Sequence, residues 1–217
     1  MMVTNLGEQC SLASVWMRDL RNVQVQNDRS RFRRNIERIG QVAAYEISKH
    51  LQYTDTAINT PLAPTQCKVL ATQPVLATIL RAGLPLYHGL LSYYDEADSA
   101  FIGAYRKHNA DKSFVVDQGY MASPALAGRP LILADPMLAT GASMVQALQT
   151  LTEYDKPSQI HIVCIVAAPE GIEVLAQHFP GAYLWVAAVD ERLNDDKYIL
   201  PGLGDAGDLC FGEKRQH

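Results

Sequence analysis

Five apolar runs of strand length recur along the chain: Val75 to Leu80, Ala100 to Tyr105, Leu131 to Ala134, Ile160 to Ala168 and Tyr183 to Val189. Segments with helical spacing lie between several of them, at Leu84 to Tyr93, Ala142 to Tyr154 and Glu170 to His178. Parallel neighbours in a sheet need a crossover connection, which a helix supplies, and a sheet covered by helices on both faces buries its strands along their whole length. The alternation therefore predicts an α/β fold, a mostly parallel twisted sheet with helices on both faces. Upstream, Phe32, Ile36, Ile39 and Ala43 fall at i, i+4, i+7 and i+11, with arginines mostly on the other side, so an amphipathic helix is predicted over about Arg29 to Ser48. A polar, proline-bearing stretch lies around Asn59 to Gln66, ahead of the apolar runs. The segment from Asn194 to Gly212, rich in Gly, Asp and Pro, reads as an ordered loop rather than a core element.

Composition narrows the class. With 217 residues, 48% of them hydrophobic, the chain can bury a sizeable core, and no linker, repeat or low-complexity tract divides it, so one domain over 1–217 is expected. Cys10, Cys67, Cys164 and Cys210 are far apart, with no paired spacing and no histidine at metal-ligand distance, which predicts reduced thiols. The N-terminus lacks a basic segment followed by an apolar run. The longest apolar stretch, Ile160 to Ala168, falls well short of the ~20 residues a bilayer needs, so a cytoplasmic protein with no membrane partner is expected. A net charge of -4 weighs against nucleic acid as a partner, although Arg29, Arg31, Arg33, Arg34 and Arg38 form one local basic cluster.

The run LILADPMLATGAS, Leu131 to Ser143, is an apolar strand ending in an acid, then a small-residue loop, then a helical pattern. A loop of this kind, at the C-terminal end of a parallel strand, presents backbone N–H groups and hydroxyls to an anion, helped by the helix dipole. Thr140 and Ser143 can add side-chain hydrogen bonds, and Gly141 allows close approach. Asp135 stands where a carboxylate can accept from sugar hydroxyls or face developing positive charge. The same residues also fit a plain turn at Asp135-Pro136 and an ordinary helix cap at Thr140, and composition alone splits the two readings evenly. Neither the lysine-bearing loop of nucleotide triphosphatases nor the G-x-G-x-x-G of dinucleotide folds is present.

LILADPMLATGAS resembles the PRPP-binding motif of type I phosphoribosyltransferases, in the D-P-M-L-A-T-G form typical of uracil phosphoribosyltransferases, where PRPP is 5-phosphoribosyl-1-pyrophosphate. Three more blocks agree in order and spacing: Ile79 to Leu84 (ILRAGL), Val166 to Ile172 (VAAPEGI), and Tyr198 to Asp208 (YILPGLGDAGD) followed by Phe211-Gly212. Phe32-Arg33 and Tyr45-Glu46 are similar to the family's N-terminal helix. The resemblance implies a sheet with a small hood that includes residues 190–212, preceded by an N-terminal extension of residues 1–28.

It also implies residue roles. PRPP would be held by Met137, Ala139, Thr140, Gly141, Ala142 and Ser143, with Asp135 near the ribose and its cationic carbon. Arg81 and Arg106 would bind pyrophosphate through permanently charged, forked guanidinium groups. Backbone groups of Tyr198, Ile199, Gly204, Asp205 and Ala206 would read the edge of uracil. Asp135, Asp205, Arg81 and Arg106 are the implied catalytic set, with Asp205 assisting a metal-bound water or taking the proton lost from the base. The implied cofactor is Mg²⁺, carried mainly on substrate oxygens, because a hard cation that keeps its waters borrows few protein ligands. The implied partners are uracil, PRPP and further copies of the chain, with Phe32 to Tyr45 as a contact helix.

The chain departs from the family pattern at Pro85, His88, Ala142 and Leu209, and in the Lys107 to Ser113 stretch that follows Tyr105-Arg106. Two other readings stand beside the first. One is a phosphoribosyltransferase for a different base; the other is a non-catalytic regulator of the same fold that binds RNA through the arginine cluster. Without the resemblance, the Gly202 to Gly212 segment is a surface turn cluster, and Arg81 and Arg106 are ordinary solvated arginines.

Overall fold

The computed structural model describes residues 1–108, 114–153 and 155–214, and side chains within those spans other than at 104–119. The five apolar runs become β4 (Val75–Leu80), β5 (Asp98–His108), β7 (Pro130–Ala134), β9 (Gln159–Ala167) and β10 (Tyr183–Val189). They pair parallel in the order β10-β9-β7-β4-β5. β1 (Met2–Asn5) extends this sheet beyond β10, and β6 (Phe114–Ala122) closes the other edge antiparallel to β5. A two-residue strand, β8 (Met137–Leu138), pairs with the end of β9.

Helices cover both faces. One core packs α1 (Leu12–Arg21), α2 (Arg29–Ser48) and α3 (Leu84–Leu91) on the sheet, through residues such as Leu20, Ile36, Ile39 and Leu90 meeting Ile132, Val163 and Ile165. The other packs α4 (Ala142–Leu151) and α5 (Pro169–His178), with Met144, Leu148 and Leu175 meeting Leu131, Leu133 and Cys164. Adjacent residues of β7 and β9 thus serve opposite cores, which is why those runs are apolar at every position rather than at alternate ones.

α2 starts where Asp28 accepts a hydrogen bond from the Arg31 N–H at 3.0 Å, and it buries the face read from the sequence, Phe32, Ile36, Ile39 and Ala43. It crosses α3 at a pair of glycines. A Cβ on Gly89 would lie 2.9 Å from the Gly40 Cα, so the two backbones touch.

Three segments carry structure beyond the sequence expectation. The polar stretch around Asn59 to Gln66 belongs to a hairpin of β2 (Tyr53–Asn59) and β3 (Pro64–Leu70), which the sequence reading did not specify. Nearly all its residues are exposed, so the alternation that marks a half-buried strand is missing. Residues 1–28 contribute β1 and α1, the latter started by a capping box at Ser11 and Ser14. The segment from Asn194 to Gly212 is more than a loop. It contains β12 (Ile199–Leu200), paired with β11 (Arg192–Leu193), and α6 (Ala206–Phe211), and it sends Ile199, Leu203, Ala206 and Cys210 into the first core. Among the described residues no helix is long and apolar enough to cross a membrane.

Candidate functional site

From β4 the chain winds through α3 to β5 on one side of the sheet; from β7 it winds through α4 and α5 to β9 and β10 on the other. β4 and β7 are neighbours, so the connections diverge between them and leave a crevice at their C-terminal ends, the place where open α/β sheets bind ligands. Both sequence blocks richest in chemistry sit there: Arg81-Ala-Gly83 after β4, and Asp135 after β7.

The turn after β4 is compact. Gly83 N–H donates to the Ile79 carbonyl at 3.0 Å, and a Cβ on Gly83 would lie 2.7 Å from the Ala134 carbonyl oxygen, so only glycine lets this turn lie against the end of β7. Thr78 Oγ1, wholly buried, donates to that same carbonyl at 3.2 Å and ties the two strand ends together.

Beyond β7, Asp135 N–H donates to the Val163 carbonyl at 3.1 Å, and its carboxylate accepts from Met137 N–H at 3.5 Å. The Pro136 carbonyl accepts from both Ile165 and Val166, and the Leu138 carbonyl from Ala168 N–H, so the loop is pinned to the end of β9. Met137 is drawn into β8 and packs against the first core. Gly141 caps α4 at φ +81, and a Cβ there would lie 3.0 Å from the Gly171 carbonyl oxygen. Glycine therefore satisfies both the left-handed backbone and the contact with α5. No capping side chain or first-turn acid covers the start of α4, and Ala142 N–H reaches Thr140 Oγ1 at a long 3.4 Å. Ala139, Thr140, Ala142 and Ser143 all keep some exposure around this helix start, the electrostatics an anion needs.

The C-terminal segment meets the same crevice. Arg81 pairs with Asp208 at 3.6 Å and donates to the Gly212 carbonyl at 3.4 Å, while a Cβ on Gly207 would lie 3.7 Å from the Ala82 Cβ. Asp205 caps α6, accepting from Asp208 N–H at 3.0 Å, and its other oxygen faces Lys214 Nζ at 3.4 Å. Burial alone would raise its carboxyl, but the Asp208 N–H and the Lys214 ammonium outweigh that and hold it below the usual carboxylate range. Asp205 is therefore a firm anion with both oxygens engaged. Gly204, at φ +91, is exposed at the turn before it. The side chains of Ile199 and Ala206 are buried in the core, leaving only their backbone for a ligand. Tyr198 is exposed and anchored by hydrogen bonds to Asn194 through both its N–H and its carbonyl.

Leu80 pairs with Gly103, and β5 runs on from there past the end of β4, so Arg106 lies on the strand extension beyond the same edge, its backbone paired with Val116. Its side chain, like residues 109–113 of the altered stretch, lies outside what the structure describes. His88 is exposed on α3, and Leu209 packs at the margin of the first core.

Of the arginine cluster, Arg33 donates to the Cys210 carbonyl at 2.6 Å, Arg38 donates to Asn35 at 3.0 Å and lies over the Trp16 ring, and Arg34 is 3.9 Å from Glu37. The residues that hold the C-terminal segment in place had no local signal in the sequence. Arg21, Gln26 and Asp190 reach it from 12 to 181 positions away, and only the folded chain brings them together.

A profile of the uracil phosphoribosyltransferase family matches residues 8–213. A uracil phosphoribosyltransferase of Porphyromonas gingivalis is 46% identical over 215 residues, covering 99% of this chain and 100% of its own. Another, from Myxococcus xanthus, is 40% identical over 192 residues, covering 88% and 90%. Among solved structures, the AQ2163 protein from Aquifex aeolicus superposes with a TM-score of 0.86 at 29% identity, covering 97% of this chain and 98% of that one. With an anion-ready helix start, an acid and an arginine converging where β4 and β7 part, and with sequence agreement along almost its whole length, the chain belongs to the uracil phosphoribosyltransferase family.

Proposed function

We propose that the protein transfers the phosphoribosyl group of PRPP to a ring nitrogen of uracil, releasing pyrophosphate and forming uridine monophosphate. The observation that carries this reading is the contact of Arg81 with Asp208 and Gly212, which joins the turn after β4 to the glycine-rich segment, while the same turn packs through Gly83 on Ala134, next to Asp135. The start of α4 takes the 5-phosphate through Thr140, Ser143 and the free backbone N–H groups. Asp135 faces the ribose, whose anomeric carbon gains positive charge as pyrophosphate leaves, and a fixed carboxylate there stabilises the transition state more than the ground state.

Arg81 is matched to the departing anion. Its pairing with Asp208 is long and nearly half its side chain is exposed, so the pair is worth no more than about 1 kcal/mol and exchanges readily for pyrophosphate. Arg106 joins it from β5. Uracil lies against residues 198–206; the Tyr198 backbone is engaged by Asn194, so the groups left to read an N–H flanked by two carbonyls, and to leave the amino group of cytosine unmatched, are those from Gly204 to Ala206. Because Asp205 is held as an anion, its role is to attract cation or metal-bound water more than to take a proton.

Mg²⁺, when bound, would be held mainly by substrate oxygens and would supply positive charge opposite the leaving pyrophosphate, with Asp135 and Asp205 as the carboxylates at hand. The described residues include no group of three or more His, Cys, Asp or Glu placed to hold a metal on their own, and hard carboxylate donors, Asp135 and Asp205, border the crevice. We place the protein in the cytoplasm, where thiols such as Cys10, which has no disulfide partner, stay reduced. We also propose self-association, through the β2–β3 hairpin rather than α2, whose apolar face is spent on the core.

Incubation with uracil, PRPP and Mg²⁺ should yield uridine monophosphate and pyrophosphate, and a chelator should abolish turnover. No product at high enzyme concentration, together with salt-sensitive RNA binding, would replace this reading with the regulatory one.

A further inference from the structure

We propose that Arg21 and Asp190 are a positioning pair that sets the base-reading loop, and with it affinity and selectivity for the base. The inference rests on the reading above, in which residues 198–206 face uracil. Arg21 ends α1 and Asp190 follows β10, 169 positions apart. They meet as a two-pronged pair, Nη2 to Oδ1 at 2.6 Å and Nη1 to Oδ2 at 3.0 Å. The side chain of Asp190 is 4% exposed and that of Arg21 25%.

The pair does not end on itself. Arg21 Nη1 also donates to the Gly202 carbonyl at 3.0 Å, and the Gly202 N–H donates to Asp190 Oδ2 at 2.9 Å. Both backbone polar groups of one loop residue are therefore held by one ion pair. Gly202 needs holding. It adopts φ +64, and a Cβ would collide with the Ile199 carbonyl, so the turn demands glycine, the residue with the most backbone freedom to lose. Neighbouring bonds extend the grip: Gln26 Nε2 donates to the Leu203 carbonyl at 3.0 Å, and Glu191 N–H donates to the Leu200 carbonyl at 2.9 Å.

The anchor itself is rigid, since Asp190 N–H donates to the Ala167 carbonyl at the end of β9 at 2.8 Å. Gly204, Asp205 and Ala206 follow the clamped Gly202 after Leu203, whose carbonyl is held too, so their N–H and carbonyl directions depend on that anchor. A buried ion pair adds little net stability over an apolar pair of the same size, whereas its directional bonds fix geometry. Arginine is required because its planar fork spans Asp190 and the Gly202 carbonyl together, which an ammonium point charge does not do.

The test is steady-state kinetics on wild type, Arg21→Lys and the doubly apolar variant R21M/D190L, which removes both charges and so keeps the fold from carrying an unpaired one. In both variants KM for uracil should rise roughly tenfold, the scale of one displaced hydrogen bond, with KM for PRPP and kcat within about threefold of wild type. Selectivity for uracil over cytosine should narrow in step. Unchanged KM for uracil in R21M/D190L overturns the proposal. So does a parallel rise of both KM values with a falling unfolding midpoint, which marks a purely structural pair. Wild type that makes no uridine monophosphate overturns the functional reading instead, and that result is read before any variant.

Discussion

Asp135 is oriented by backbone contacts: its N–H donates to the Val163 carbonyl and its carboxylate accepts from the Met137 N–H. Asp135→Asn keeps that shape and removes the charge. Turnover should fall by about 100-fold or more, the scale for a preorganised electrostatic contact, with the unfolding midpoint unchanged. Near-wild-type turnover removes Asp135 from the mechanism. A second residue governs stability. His161 is wholly buried, stacks on Tyr183, accepts from Trp185 Nε1 at 3.2 Å and sits 3.1 Å from Gln159 Oε1. Burial, with His50 nearby, pulls its pKa down to about 4. The unfolded chain takes up this proton near pH 6.5 and the folded chain only near 4, so the stabilisation is complete above 6.5 and is lost as pH falls between those values. The loss approaches about 3 kcal/mol. Denaturant midpoints at pH 7.5 and 4.5 should differ accordingly in wild type, and His161→Gln should flatten that dependence whatever its baseline.

Among the elements, the α2–α3 crossing reverses a usual rule. Alanine for glycine inside a helix ordinarily stabilises by about 1 kcal/mol. At Gly89 the added Cβ would lie 2.9 Å from the Gly40 Cα and 3.0 Å from the Gln41 nitrogen, backbone atoms that cannot turn aside. Gly89→Ala should therefore destabilise by about 1–3 kcal/mol in chemical denaturation, through forced separation of the helices. That contact was not legible in the sequence, where Gly40 and Gly89 are merely two weak helix formers. The doubly buried strands and the apolar face of α2 were legible because burial is written into their spacing. The strand, loop and helix around Asp135 and Ala139 to Ser143 were legible because they follow one another locally, whereas the choice between an anion site and a plain turn with a helix cap came only from the resemblance. α6 was hidden in a run of turn-forming residues, and the β2–β3 hairpin buries too little to leave a pattern. The Arg21–Asp190 pair was invisible for a different reason, since neither residue has a neighbour in sequence that hints at the other.

At the scale of the molecule, one asymmetry stands out. Both faces of the sheet are covered, yet the β2–β3 hairpin projects with Ile58 and Val69 more than two-fifths exposed and Leu62 96% exposed. A two-stranded hairpin is marginal in water by itself. Another copy of the chain covering it accounts for both facts. Wild type should sediment as a dimer or larger, and Ile58→Asp with Leu62→Asp should weaken that assembly by at least about tenfold while circular dichroism stays unchanged. A monomeric wild type removes this assignment.

The pairing of β1 with β10 carries a consequence for biosynthesis. Met2 meets Tyr183 across roughly 180 residues, and Arg21 waits as long for Asp190. At about 5–20 residues per second, a ribosome leaves that opening strand, and the Arg21 guanidinium, without those partners for roughly 10–40 s. A nascent chain halted after α4 also lacks β9, which pins the loop that follows β7. Leu20 and Met17 can pack on α2 as soon as it emerges, whereas the opening strand joins the sheet only when its far edge is made.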